Sequence, residues 1–570
     1  MHLCVHKLKV SSISTPETGE VQVIGRIMAT LGTFCAVAAI IWPPGVTALE
    51  DENREALRMA VERLRYTEDA ADPAADHHAR RLMALFYERR NFLPAWEDGR
   101  KRRSLLTVVE NAYQDGLDPA DYHLSDLLEQ DARVRAAKLR SSEEWAAFEL
   151  DLTDALISLI HHQRFGKADA LSQHTTWNYR EELGESLVLE IAERALHEGS
   201  LRASLEESIP RGFYYRRLRD ALARYRDIAS SGGWPSIDGG PSFAFGLSDE
   251  RVPVLAARLA ITGDLDEAHS YEELRTVDGR LKEAVRRFQE RHSLQPDGVA
   301  GPATLRALNV PVEQRIEQLR LTLERARWVL GGLGKDFVVV NIAAFRAYVV
   351  ADRQVAWETR VVIGKAQQQT PVFRDELQYI VFNPTWTVPY RIATREMLPE
   401  IKAQPDWFER RDFDLMNSVG DRLDPSTIDW ASVTRQNFNY ILVQRPGPNN
   451  ALGEVKFMFP NEHAVYLHDT PSRQLFGSPD RAFSHGCIRV ENPLELAEIL
   501  LASNGWDRRR IEGAIASGET TTVFLAKPLP ILLLYWTANV TPDGIVHFYR
   551  DVYRRDPAIA QALDGPFTIE

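Results

Sequence analysis

The sequence predicts a multidomain α+β protein, with helical modules in its first half and a β-rich region in its second half that a helical insertion interrupts. Three observations carry this. Apolar residues recur at helical spacing from about Asp51 to Ala229 and again from Val252 to Gly334, as one buried face of a 3.6-residue period requires. From Phe337 onward the pattern changes to short apolar runs divided by turn residues, which reads as strands. A chain of 570 residues with 44% apolar content suffices for about three to four globular domains.

Residues 1–48 read as a signal peptide or N-terminal anchor. Lys7, Lys9 and Arg26 precede an apolar run, Ile27 to Trp42, that falls short of the roughly 20 residues of a membrane span. Val46-Thr47-Ala48 then offers small residues for cleavage after Ala48. Either way the body of the chain is expected in an extracytoplasmic space, periplasmic if the envelope is of the Gram-negative type, and anchored at the inner membrane if the segment is retained. Membrane contact is expected through this segment alone. The net charge of −13 argues against a nucleic-acid partner.

Residues 51–235 are expected to form a helical scaffold. Leu57, Val61, Leu64 and Tyr66 begin the helical pattern, and Leu82, Leu85 and Phe86 continue it. Phe92–Trp96 and Gly116–His123 interrupt it as loops. The adjacent pairs His77/His78 and His161/His162 project from different sides of a helix, so no metal site is predicted. Ser230–Pro235 and Gly239–Pro241 read as a linker.

Residues 245–310 form a compact helical unit, with helices at Val254–Leu259, Leu281–Gln289 and Ala303–Asn309 and a turn at Pro296–Pro302. Residues 311–334 make an amphipathic connecting helix with Leu319, Leu323 and Trp328 on one side. Residues 335–527 are the β-rich domain. Its insertion, about 388–440, has a helical stretch from Ile392 to Lys402 and scattered aromatics, Trp407, Phe408, Phe413 and Trp430. A long insertion beside a functional motif is expected to act as a lid. Residues 528–570 read as a hairpin, Ile531–Ala538 against Ile545–Tyr549 about the Thr541–Gly544 turn, and a tail, packing on the β-rich domain and closing its sheet.

The three cysteines are Cys4, Cys35 and Cys487. Removal of the export segment leaves only Cys487, and a lone thiol in an exported protein is a candidate reactive group. A buried structural cysteine is the plainer reading, but Ser484, His485 and Gly486 on its N-terminal side are polar or glycine. Val465–His468 alternates as a strand, with Tyr466 and His468 on one face. Ser484–Val490 also reads as extended, placing His485, Cys487 and Arg489 on one face. Two such strands side by side bring His468 to Cys487, where a base raises the thiolate fraction. Backbone N–H groups at Gly486–Cys487 are candidate oxyanion donors, and Arg489 is a candidate carboxylate clamp. Asp469, the strand neighbour of His468, faces the other way; a backbone carbonyl or Ser484 is expected to orient the imidazole.

Ser484-His485-Gly486-Cys487-Ile488-Arg489, with His468 19 positions before the cysteine, resembles the signature of the L,D-transpeptidases. The runs Arg445–Gly453, Lys456-Phe457 and Leu467–Pro471 resemble the large Gram-negative branch of that family, in which Arg replaces the more usual Asn two residues after the cysteine. The Trp96 and Gly116–His123 patches resemble its scaffold domain, and the Phe288-Gln289 … Asp297-Gly298 … Gly301 … Thr304-Leu305 order resembles peptidoglycan-binding domain type 1.

The resemblance implies a β-sandwich catalytic domain, Cys487 as nucleophile, His468 as general base, and Ser484, His485 and Gly486 completing the site. Arg489, Tyr466, Asn383 and Trp386 are the candidate substrate contacts. It further implies acyl transfer between peptidoglycan stem peptides through a thioester, with no cofactor and no metal. Other cell-wall synthesis enzymes are further candidate partners. Three rival outcomes stay open: an L,D-carboxypeptidase, an enzyme attaching a lipoprotein to peptidoglycan, and a non-catalytic wall-binding protein.

Overall fold

The computed structural model describes residues 44–66, 77–138, 141–173, 176–178, 185–197, 201–206, 209, 212–266 and 274–569. The export-like run therefore lies outside the described residues, while Val46–Ala48 fall within the helix Pro44–Tyr66. Among the described residues no helix is long and apolar enough to cross a membrane. Residues 52–570 form one compact unit.

Within that unit, the helix Ser142–Phe165 is the buried centre of the first half. Leu150, Leu152, Leu156, Ile157, Leu159 and Ile160 are all covered, so it is packed on every side rather than along one stripe. Its Glu149 accepts hydrogen bonds from the Ala95 and Trp96 N–H groups and the Tyr87 hydroxyl. Burial lifts that carboxyl to about 7, against the pull of these donors. The Phe92–Trp96 loop is thus pinned by a buried acid, which satisfies backbone groups that burial would otherwise orphan.

The helix Val312–Leu330 corrects the connecting helix expected from one apolar side. From Leu319 to Val329 nearly every residue is buried, polar ones included. It packs on the helices Phe213–Ser230, Ser142–Phe165 and Asp556–Asp564. Glu324 and Arg327 pair within it at 2.5 Å, and Arg327 also reaches the Asp115 carbonyl and the Tyr215 hydroxyl. Internal pairing of its charges lets a helix with a polar side sit inside the protein.

The unit around Val252–Asn309 has three helices, Val252–Ile261, Gly279–Arg291 and Pro302–Leu308, and a core of its own. Its Phe-Gln … Asp-Gly pattern has a structural cause. The Gln289 amide, 1% exposed, donates to Asp297, the Val299 carbonyl and Thr304, and accepts from the Gly298 N–H. One side chain staples the turn to two helices.

The β-rich region contains, in chain order, β1 (Phe337–Asn341), β2 (Arg346–Ala351), β3 (Gln354–Gly364), β4 (Phe373–Phe382), β5 (Trp386–Thr387), β6 (Phe413–Met416), β7 (Arg422–Leu423), β8 (Ile441–Gln444), β9 (Val455–Met458), β10 (Leu467–His468), β11 (Ala482–Ser484), β12 (Ile488–Val490), β13 (Thr521–Leu534), β14 (Ala538–Val540) and β15 (Val546–Phe548). Among the described residues the main sheet runs β11-β3-β12-β10-β9-β4-β13-β1-β2, and β2 pairs back onto β3. The strands of the β-rich domain thus close on themselves. Strand β3 makes this closure by pairing with β2 along its first part and with β12 and β11 along its last, leaving few free edges.

Two further expectations are corrected. The insertion is not simply helical. Its helical stretch, Tyr390–Ala403, packs with a sheet ordered β5-β8-β6-β7, whose strand β5 precedes that stretch and whose other strands follow it. Trp407, Phe408, Phe413, Leu415 and Leu442 bury a core separate from that of the main sheet. The hairpin of the C-terminal segment is β14 with β15. Ile531–Leu534 instead belongs to β13, between β1 and β4. That run is buried throughout, as a strand covered on both faces is. The hairpin packs on the helical part: Phe548 lies against Tyr225 and His292, and the Arg291 guanidinium reaches the Val546 carbonyl.

Candidate functional site

Three adjacent strands build the site. His468 on β10 pairs with Lys456 on β9 and with Arg489 on β12, so the three side chains form one row across the sheet. The alternate residues Phe457, Leu467 and Ile488 are fully buried beneath them. Tyr466 precedes His468 on the same face, with ring centroids 5.7 Å apart. Cys487 immediately precedes β12, whose first residue, Ile488, donates its N–H to the Tyr466 carbonyl at 3.1 Å. Its thiol contacts the Ala464 carbonyl at 3.8 Å.

The extended stretch expected from Ser484 to Val490 is broken. Strands β11 and β12 flank a bend at His485–Cys487, because Gly486 has φ +120°, a conformation that a side chain disfavours. At this bend His485 turns to the insertion. Its Nε2 meets the Glu396 carboxylate of the insertion at 2.7 Å. Ser484 does not orient His468. Its hydroxyl donates to the Cys487 carbonyl at 2.6 Å and accepts from the Gly486 N–H at 3.1 Å, closing the bend. Of the two expected oxyanion donors, Gly486 N–H is therefore engaged. The Cys487 N–H has no partner among the described residues.

His468 is oriented by backbone. Its Nδ1 lies 2.5 Å from the Asp469 carbonyl, so Nδ1–H donates there and Nε2 is left as the basic nitrogen. The Asp469 carboxylate faces the other way, accepting from the Glu454 N–H and pairing with Arg473. Among the candidate substrate contacts, the Tyr466 hydroxyl neighbours both the Cys487 thiol and Trp386. Asn383 stands apart: its amide donates to the Ala514, Ile515 and Glu519 carbonyls, which makes it an anchor for the helix Arg508–Ala516 and the turn after it.

The electrostatics favour neutral partners. Burial pushes the Cys487 thiol up, and Tyr466, Lys456 and Arg489 offset part of this. Burial, then the Arg489 and Lys456 charges, hold the His468 imidazole down to about 3. Both shifts favour the uncharged forms, a thiol and a neutral imidazole, rather than the thiolate that a neighbouring base alone suggests. Burial also pushes Lys456 and Arg489 down, while the Cys487 thiolate favours their charge. Arg489 Nε has no hydrogen-bond partner, and neither cation pairs with a carboxylate among the described residues. The Lys456 ammonium lies 4.0 Å from the centre of the Tyr466 ring. The arrangement offers a nucleophile, a base and two unpaired cations suited to an anionic group.

Lys456 and Glu396 escape the reading of the sequence as functional residues. The alternation Val455-Lys456-Phe457 places Lys456 on the face opposite the core, but its register with His468 is a tertiary fact. Elsewhere, His78, His123 and Asp154 bring potential metal ligands within 4.8 Å of one another. Both Asp154 oxygens already accept backbone N–H groups, from His78 and Ala79, and His78 Nδ1 faces the Phe567 carbonyl. The cluster caps the helix Arg80–Arg89 and ties down the C-terminal tail.

Comparison with known proteins finds three family matches along the chain. Residues 335–523 match the family model of the L,D-transpeptidase catalytic domain. Residues 81–222 match a scaffold domain, and residues 249–308 a "Putative peptidoglycan binding domain". A Haemophilus influenzae protein named "Putative L,D-transpeptidase" is 36% identical over 222 residues, which cover 39% of this chain and 45% of that protein. The chain thus matches less than half the length of that relative. A solved Clostridium acetobutylicum structure, a fused Zn-dependent amidase/peptidase/peptidoglycan-binding protein, is 12% identical with a TM-score of 0.15, covering 52% of this chain and 100% of its own; that likeness is too slight to carry fold or function. The catalytic-domain match spans β1 to the first part of β13 and contains the site motif, so the chain carries an L,D-transpeptidase catalytic domain preceded by scaffold and peptidoglycan-binding-type domains.

Proposed function

We propose that this protein is a peptidoglycan L,D-transpeptidase of the cell envelope, working by two-step acyl transfer. Cys487 sulfur attacks the carbonyl carbon joining the third stem residue, diaminopimelate, to the terminal D-Ala of a tetrapeptide stem. His468 Nε2 takes the thiol proton as the S–C bond forms, and the Cys487 N–H stabilises the developing oxyanion. Collapse breaks the C–N bond, and His468 returns the proton to the leaving D-Ala amine. A side-chain amine of a second stem then attacks the thioester carbonyl, giving a 3-3 cross-link and regenerating the thiol.

The single observation that carries this reading is the row Lys456–His468–Arg489 beside Cys487, with His468 Nδ1 tied to a backbone carbonyl. It supplies a base with a free Nε2 and two cations for the stem's carboxylates. An anionic stem beside these cations also removes the charge that depresses His468, making the base stronger as substrate binds. The insertion, joined to the nucleophile bend through Glu396 and His485, fits a lid over the stem. The peptidoglycan-binding-type domain fits delivery to the wall.

The test is incubation of purified protein with disaccharide-tetrapeptide, read by mass spectrometry, beside Cys487→Ala. A dimer lacking one D-Ala, absent in the variant, is expected. Tripeptide alone would make the protein a carboxypeptidase. Transfer to a lysine of an added lipoprotein would make it an attachment enzyme. Identical product patterns for wild type and variant would leave a wall-binding protein.

A further inference from the structure

The structure assigns to Thr370 a positioning role for the oxyanion donor, and to Tyr553, from outside the matched catalytic region, the role of holding Thr370 in place. This rests on the acyl-transfer reading above. Thr370 is 0% exposed. Its hydroxyl donates to the Gly486 carbonyl at 2.8 Å and accepts from the Gly364 N–H at 2.9 Å. Its own N–H donates to the Tyr553 hydroxyl at 3.1 Å, and that hydroxyl donates to the Gly364 carbonyl at 2.5 Å. The two hydroxyls each give one bond and take one, and the backbone N–H groups allow no reversal of direction. The chain of bonds has one polarity, and its free end is the Gly486 carbonyl.

That carbonyl belongs to the Gly486–Cys487 peptide. A trans peptide is planar, with its C=O and N–H pointing in opposite directions. Fixing the Gly486 oxygen on Thr370 therefore fixes the Cys487 N–H on the other side of the plane. That N–H is the unengaged donor beside the nucleophile. The local backbone needs such a tether, since φ +120° at Gly486 is available to a residue with unusual rotational freedom. Ser484 holds the neighbouring Gly486 N–H and Cys487 carbonyl but leaves the Gly486 carbonyl to Thr370.

The tether is braced from the C-terminal segment. The Tyr553 N–H donates to the Tyr535 hydroxyl at 2.8 Å, which donates to Asp551 at 2.6 Å. Arg555 reaches the Gln369 side chain at 2.9 Å. Gly364 permits the loop 365–370 to fold this tightly: a Cβ there would lie 2.1 Å from the Gln368 carbonyl oxygen. Residues beyond 523 thus complete the catalytic machinery rather than merely trailing it.

The test compares full-length wild type, T370V, T370S and Y553F in two reactions. D-Ala release from disaccharide-tetrapeptide develops an oxyanion; alkylation of Cys487 by iodoacetamide needs the thiolate and develops none. T370V should lose about 10- to 100-fold in kcat with KM unchanged, less than outright removal of an oxyanion donor costs. T370S should restore most of it, and Y553F should show a smaller loss of the same sign. The alkylation rate and its pH profile should be unchanged in all three. Wild-type kcat in T370V would overturn the positioning role, as would alkylation falling in parallel with D-Ala release, which marks general disorder around the thiol. A wild type that is alkylated yet releases no D-Ala would overturn the acyl-transfer reading and this role with it.

Discussion

The resting protonation state of the Cys487–His468 pair sets the pH dependence of the thiol. With the His468 imidazole held at about 3, about one imidazole in ten thousand carries a proton at about pH 7. The thiol is displaced upward, so its thiolate fraction at that pH lies below the roughly 3% of an ordinary cysteine. A thiolate–imidazolium pair is therefore negligible. The physical cause is that protonating a buried imidazole beside two cations costs more than leaving the proton on sulfur. Alkylation by iodoacetamide, followed by intact mass, should rise about tenfold per pH unit from about pH 6 to beyond pH 8, as the small thiolate fraction grows. In His468→Gln this rising limb should survive. D-Ala release, which needs a base while sulfur attacks, should fall by about 10²- to 10⁴-fold. A flat alkylation rate between about pH 5 and 8, lost in His468→Gln, would refute the argument, because it is the signature of a preformed ion pair.

The same geometry sets three other outcomes. Lys456→Met removes a charge that lowers the thiol and depresses His468; neutral-pH alkylation should slow by up to about 10-fold, and an unchanged rate would place the ammonium out of range. Gly364→Ala puts a Cβ 2.1 Å from the Gln368 oxygen and 2.8 Å from the Thr370 nitrogen, so thermal unfolding should show a loss of at least about 1–3 kcal/mol and D-Ala release should collapse with it. Trp407→Ala, at a position 1% exposed in the separate core of the insertion, should cost about 3–5 kcal/mol. That approaches the on the order of 3–9 kcal/mol expected of a unit of about 60 residues. Limited proteolysis should then cut within 388–440 while Cys487 stays alkylatable and turnover drops; full turnover by the cut protein would end the lid reading.

The local chemistry was legible in the sequence because it depends on local order. Val465–His468 alternates as a strand must, and Ser484-His485-Gly486-Cys487 carries its residues close together in the chain; the bend at Gly486, within a stretch whose sequence reads as extended, emerged only in the structure. The three helices around Val252–Asn309 were legible for the same reason, and the structure adds that Gln289 staples their turn. The closure of β2 onto β3, the burial of Val312–Leu330 on all sides and the sheet within the insertion were not. Each depends on what a segment meets far along the chain, and period alone does not encode the partner. Ile531–Leu534 looked like half of a hairpin because an apolar run of four fits either role; burial between β1 and β4 decided it.

Residue type and short spacing were enough to propose Cys487 as nucleophile and His468 as base, and to point to the catalytic domain that residues 335–523 match. The surroundings of that pair came from folding alone. Strand register set Lys456 and Arg489 on either side of His468, the insertion brought Glu396 to His485, and the loop and C-terminal segment brought Thr370 and Tyr553 to the carbonyl behind the nucleophile. The physical reason is that charge, desolvation and hydrogen-bond direction act through space. The groups that tune Cys487 lie 31 positions upstream at Lys456 and 66 downstream at Tyr553 in the chain, and only folding makes them neighbours.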